Sequence, residues 1–200
     1  NGGPVLVLSS ASNGFSKYYA EILRAEGITS FRVRDINIAT ADTLNRYDVI
    51  LLGDYAITST QATLLTNWVT AGGTLITFKP DSKLHSLLGI APATGTLSDK
   101  YLLINTATEL GAGIVNETIQ FHGSANFYTT SSATSLATLY STATVSTPYP
   151  AVTINLVGNN GGKAVAFAFD LARSIVYTRQ GNPAWAGQKR DGQGFVSRSD

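Results

Sequence analysis

Apolar residues in the first half of the chain fall into short unbroken runs, separated by stretches with a helical period. Pro4–Ser9 (PVLVLS), Asp48–Gly53 (DVILLG) and Thr74–Phe78 (TLITF) are such runs. Runs of this length, bounded by glycine or polar residues, predict strands covered on both faces. Between the second and third, Thr58 opens a helix with Gln61 three residues on, so each side chain can satisfy a free donor of the first turn. Leu65, Trp68 and Val69 then recur on one face, widened by Leu64 and Ala71. Gly72–Gly73 permits the left-handed backbone that stops a helix. Strand, helix and strand with tight connections make a right-handed βαβ unit, and hence a parallel sheet.

The flanking segments extend this unit. Phe15, Tyr19, Ile22 and Leu23 lie on one face of a helix ending at Gly27, and Phe31–Ile36 alternates apolar with charged, as an edge strand does. Thr40–Arg46 is a short helical turn, and Asp81 can cap a short helix through Leu84, Leu87 and Leu88, closed by Gly89. This order predicts a three-layer α/β/α sandwich, doubly wound about a mostly parallel, flavodoxin-like sheet of strand order 2-1-3-4. From about Ile90 the texture changes: residues 101–162 carry only Glu109 and Glu117 as charges. Short β-like runs follow at Tyr101–Ile104, Thr118–His122, Leu136–Tyr140 and Ala151–Val157. Val157-Gly-Asn-Asn-Gly-Gly-Lys163 signals a hairpin, because Asn-Gly tolerates the positive φ of primed turns. Ala164–Phe169 (AVAFAF) is again a buried strand, expected to rejoin the main sheet, and Leu171–Thr178 a last helix with Ile175 and Val176 inward. One α/β domain over residues 1–178 is expected, with a β-rich insertion at about 91–160. An irregular tail, 179–200, is expected to be truncated from a longer protein.

Composition narrows the classes. The 200 residues have 44% hydrophobic content and a net charge of +1, with no apolar stretch long enough for a membrane span. Neither nucleic acid nor a membrane is therefore an expected partner. Charged residues make up only 14%, whereas serine and threonine supply 42 residues. Cys and Met are absent, which excludes disulfides, thiolate metal sites and a cysteine nucleophile. Such a weakly charged, oxidation-resistant composition suits a secreted protein.

Ligands of doubly wound sheets bind at the carboxyl ends of the strands. That places Ser9–Gly14, Gly53–Thr58, Lys79–Asp81 and Asp170–Arg173 around one crevice. There is no G-x-G-x-x-G and no Walker lysine, so no nucleotide cofactor is expected. Asp54, Asp81 and Asp170 could converge there, and a pair of carboxylates would suit glycoside hydrolysis. Asp54 and Asp81 could equally cap turns and helix starts. Asp81 and His85, four apart, could share a metal, but no third ligand lies nearby in sequence, and no metal site is expected. His122 reads as a packed or hydrogen-bonded histidine. Residues 171–200 hold Arg173, Arg179, Lys189, Arg190 and Arg198 against Asp191 and Asp200, with Trp185 and Phe195 interleaved. Arginine forks pair with carboxylates and tryptophan stacks on sugars. The candidate ligand-binding set is thus Asp54, Tyr55, Asp81, Asp170, Arg173, Arg179 and Trp185, and the alternative for the arginines is to tie the tail to the body.

The run Y-D-V-I-L-L-G-D followed by W-V-x-x-G-G-T-L-I-T-F resembles the class I glutamine-amidotransferase-like superfamily, including its degenerate ThuA-like relatives and the middle domains of some β-galactosidases. The resemblance covers about residues 4–90 and the Gly162–Asp170 strand. It implies the doubly wound fold, and in active members a cysteine on the turn after the strand matching Thr74–Phe78. Lys79-Pro-Asp81 stands there instead, and neither His85 nor His122 sits in a His-x-Glu pair. Phe169-Asp-Leu-Ala-Arg-Ser174 and Thr178-Arg-Gln-Gly-Asn-Pro-Ala-Trp-Ala-Gly-Gln-Lys-Arg-Asp191 resemble C-terminal parts of large secreted bacterial proteins. The expectation is a non-catalytic, carbohydrate-related binding or assembly module of a secreted protein, its partners a glycan or neighbouring domains. The alternative is a glycosidase-type hydrolase using strand-end carboxylates.

Overall fold

A computed structural model describes residues 3–181 and Pro183. A mixed α/β fold is built on an open nine-stranded sheet of order β2-β1-β3-β4-β11-β10-β9-β6-β7. Its parallel half comprises β1 (Val5–Ser9), β2 (Phe31–Asp35), β3 (Val49–Leu52), β4 (Thr74–Phe78) and β11 (Gly162–Phe167). The expected 2-1-3-4 order is present, and the late strand rejoins the sheet beside β4, starting two residues earlier than the AVAFAF run suggests. The sheet then continues antiparallel through β10 (Ser146–Val157), β9 (Thr134–Tyr140), β6 (Tyr101–Ile104) and β7 (Ile119–Gln120). The β-rich stretch therefore extends the main sheet. The strands β5 (Thr96–Ser98) and β8 (Ser124–Asn126) pair apart from it.

Alternation along the strands sends side chains to two apolar clusters. Leu6, Leu8, Ile50, Leu52 and Leu75 meet Leu65, Trp68 and Val69 of α3 (Ser59–Thr70) and Leu87 and Leu88 of α4 (His85–Leu88). Val7, Leu51 and Phe78 meet Tyr19 of α1 (Tyr18–Ala25) and Ala172 of α5 (Leu171–Gln180). Trp68 is 6% exposed, as its helical spacing predicts. The Thr58–Gln61 capping box is complete, and Gly89 closes α4 at φ +62°. Thr40 caps the short α2 (Ala41–Leu44).

Three local expectations change. Helix α5 buries Ala172 and Ser174, whereas Ile175 and Val176 are only half-buried, because Asp170 sets the helix phase by capping its first turn. In the β10–β11 turn the positive φ angles fall on Gly158 and Gly161, which have no Cβ to clash, and not on the asparagines. Of Thr118–His122 only Ile119–Gln120 is strand. Among the described residues no helix is long and apolar enough to cross a membrane.

Candidate functional site

Asp170 lies at the carboxyl end of the sheet, between β11 and α5, and is 3% exposed. Its Oδ1 accepts from the Tyr19 hydroxyl at 2.7 Å and from the Ala172 and Arg173 amides at 3.1 and 3.3 Å. Its Oδ2 accepts from Asn13 Nδ2 at 3.3 Å, with Arg173 Nε at 3.9 Å. Four hydrogen bonds from three elements make this buried carboxylate a structural tie. Tyr19 stacks on Phe78 at 4.1 Å between ring centres. Burial first, and then the Asp170 carboxylate, push its phenol well above the usual range.

Asn13 carries the link onward, donating also to the Asp54 carbonyl at 2.8 Å. Burial raises the Asp54 carboxyl above the usual carboxylate range; Lys79 opposes this and the Asp170 charge adds to it. Lys79 follows β4 at φ +49°, a left-handed conformation uncommon for a residue with a Cβ. Its Nζ donates to Ser124 Oγ on β8 at 2.6 Å. The position where the resemblance implies a nucleophile thus holds a strained lysine engaged with the β-rich half. His122 is buried, its amide donating to Ser174 Oγ at 3.0 Å and its Nδ1 3.8 Å from Asp99. Asp54, Lys79, His122, Ser124, Asp170 and Arg173 enclose a polar cavity of about 40 Å³, room for little more than water.

Above this floor runs a groove of about 1090 Å³ between the 3₁₀ turn Gly14–Lys17 with α1 on one side and α5 on the other. Phe15, Tyr18 and Tyr177 give it aromatic walls, and Asn13, Lys17, Glu21, Asp54, Arg173 and Gln180 give it polar ones. The Arg173 guanidinium lies over the Phe15 ring at 4.8 Å, and Tyr177 meets the same ring edge-on at 5.7 Å.

Of the residues singled out from sequence, Asp54, Asp170 and Arg173 come together here. Asp81 does not line this cavity: its Oδ2 accepts from the Ile57 amide at 3.2 Å and its Oδ1 from the Lys83 amide at 2.9 Å. Burial works to raise that carboxyl, but these hydrogen bonds and Lys83 outweigh it and hold it below the usual range. Tyr55 turns into the core, 7% exposed, and donates to the Leu8 carbonyl at 2.9 Å. Arg179 is exposed on α5. Trp185 and the rest of the tail lie outside the described residues. Asp81 and His85 meet no third ligand, and no group of three metal-ligating side chains forms among the described residues. The sequence reading brought the segments of Asn13 and Lys79 to this crevice without singling out either residue, and it missed Tyr19 and Ser124 as members of the cluster and Phe15, Tyr18 and Tyr177 as groove walls. The available signals were the strand-end position of the Ser9–Gly14 loop and the Lys-Pro pair after β4.

No family model matches this chain, and no curated protein does. Solved structures match well in shape. The beta-galactosidase from Rahnella sp. R3 superposes with a TM-score of 0.65 at 17% identity, over 86% of this chain and 29% of that one. The alpha-L-fucosidase isoenzyme 2 from Paenibacillus thiaminolyticus gives 0.65 at 13% identity, over 89% of this chain and 30% of that one. The mmIFT52 N-terminal domain gives 0.53 at 14% identity, over 82% of this chain and 85% of that one. The likeness is one of fold. The chain spans less than a third of the two glycosidase chains.

Proposed function

We propose that this chain is a non-catalytic, carbohydrate-associated module of a larger secreted protein, and that it holds a neutral glycan in the strand-end groove. The observation that carries this reading is the groove itself, in which three aromatic residues and several hydrogen-bonding side chains line one concavity of about 1090 Å³. Aromatic faces and polar groups in one cleft suit the alternating apolar faces and hydroxyls of a sugar. The fold comparisons support it indirectly. Parts of chains whose names state different sugar specificities share this fold, so the shared part is a poor carrier of either specificity.

We further read the fold as a nucleophile-free form of the doubly wound, three-layer amidotransferase-like architecture. The 2-1-3-4 order and the strained Lys79 at the turn after β4 support this. Secretion is inferred from the composition alone. A second reading, acid catalysis of glycoside hydrolysis, rests on Asp54, whose carboxyl is held above its ordinary range beside the groove. Its natural partner, Asp170, is engaged in holding Tyr19, Asn13 and α5. A neutral glycan array with the wild type and Tyr177→Ala separates the outcomes. Binding that is lost in the variant supports the groove, and binding unchanged by the variant contradicts it.

A further inference from the structure

Away from the groove, toward the amino ends of β1 and β3, Arg32, Arg34 and Arg46 surround a cavity of about 510 Å³ with Gly3, Pro4, Tyr47 and Asp48. Arg32 and Arg34 are two apart on β2, so both point to the same face of the sheet. That face is opposite to the half-buried Phe31 and Val33, which pack on the α1/α5 side. Arg46 arrives from beyond α2. All three are exposed, and none forms an ion pair or side-chain hydrogen bond among the described residues. Among the described residues Asp48 is the one carboxylate in the lining, and no ion pair joins it to them.

This is a departure from the rest of the chain, which has 14% charged residues and a net charge of only +1. Charge on an edge strand blocks sheet-to-sheet pairing, which would account for Arg32 and Arg34. It does not account for Arg46, which lies outside β2, nor for three arginines lining one concavity with Tyr47. Guanidinium forks match carboxylate and sulfate oxygens in pairs, and a phenol ring offers an apolar face to a sugar.

We propose that Arg32, Arg34, Arg46 and Tyr47 form a second binding site, for the uronate or sulfate groups of an anionic polysaccharide. Resting on the carbohydrate reading above, the site adds a charged subsite remote from the neutral groove. The near-zero net charge argues against nucleic acid as the occupant.

Calorimetric titration of the full 200-residue chain tests this, using a mannuronate hexasaccharide, a chondroitin sulfate hexasaccharide, cellohexaose and a short DNA duplex. The mannuronate hexasaccharide carries carboxylates alone and chondroitin sulfate carries both carboxylates and sulfates, so binding of the second without the first assigns the site to sulfate. The expected result is saturable binding of at least one anionic hexasaccharide, weakening as salt rises from about 20 to about 150 mM. Arg32→Gln/Arg34→Gln/Arg46→Gln should lose about tenfold or more in affinity with an unchanged thermal midpoint, while the corresponding lysine variant keeps part of it. Cellohexaose binding should be unaffected by either variant. Anion binding that survives the triple variant, or a DNA duplex binding as tightly, overturns the site while leaving the groove standing. Absence of binding to any of the three hexasaccharides overturns this site and the carbohydrate reading beneath it together.

Discussion

The two halves of the nine-stranded sheet are finished differently. In the parallel half each crossover brings a helix, and the apolar side chains of β1, β3 and β4 are covered on both faces, by α3 on one and by α1 and α5 on the other. In the antiparallel half, hairpins replace crossovers and bring no helix with them. Phe121 and Leu139 are buried there, whereas Leu102, Ile104, Ala137, Val152, Ile154 and Phe167 line an apolar groove of about 510 Å³, edged by Leu110 and Ile114. Strand β10 also pairs with β9 irregularly, with register shifts between Ser146 and Thr153. The parallel half is a closed scaffold and the antiparallel half remains partly uncovered, while Ser124, which reaches Lys79, belongs to the separate β5–β8 pair.

The largest expected effect tests the closed half. Trp68→Ala should cost about 3–5 kcal/mol in chemical denaturation, the range for a packed core aromatic. A loss below about 1 kcal/mol would mean that α3 is not the cover that burial implies. Next is the tie between the faces and the strand ends: Asp170→Ala leaves the Tyr19 hydroxyl and Asn13 amide without their acceptor and uncaps α5. A loss of about 2–4 kcal/mol is expected, combining a lost cap with buried unpaired donors. An effect no larger than that of an exposed cap would break the claim that Asp170 is structural.

Smaller effects sharpen the contrast. Leu110→Ser should change stability by no more than about 0.5 kcal/mol, because this side chain is 64% exposed. A core-sized loss would show that the apolar groove is a packed interior. The last prediction concerns pH. The folded-state carboxyl of Asp54 is raised, so its favourable contribution is present below its unfolded pKa of about 4 and lost as pH rises through the folded value. Asp81 is lowered, so its contribution is present above the unfolded value and lost as pH falls through the folded one. At neutral pH, Asp54→Asn should therefore raise the thermal midpoint slightly and Asp81→Asn should lower it. The reverse pair of shifts would contradict the burial assigned to Asp54.

How much of this was legible in the sequence follows the same division. Val49–Leu52, the Thr58–Gln61 box and the Leu65–Trp68–Val69 face are local patterns, and each one survives in the structure. Helix α5 was legible as a helix but not in phase, because its rotation is set by Asp170 contacts more than 150 residues away in sequence. The β-rich half has few charges to mark its solvent side, so its strands could be found but not their order. For the site, strand-end topology located Asp54, Asp170 and Arg173. It could not show that Tyr55 turns back to the Leu8 carbonyl, since side-chain direction after a strand end depends on the packing behind it. Nor could it pair Lys79 with Ser124, 45 residues apart on different sheets.

The most direct test of a non-catalytic groove is a day-long incubation of the domain with the neutral glycan that binds it most tightly, measuring bound ligand and newly released reducing ends together. The expected result is saturable binding with no release above the buffer control, in the wild type and in Asp54→Asn alike. Release by the wild type that disappears in Asp54→Asn would contradict it, and would make Asp54 a catalytic acid.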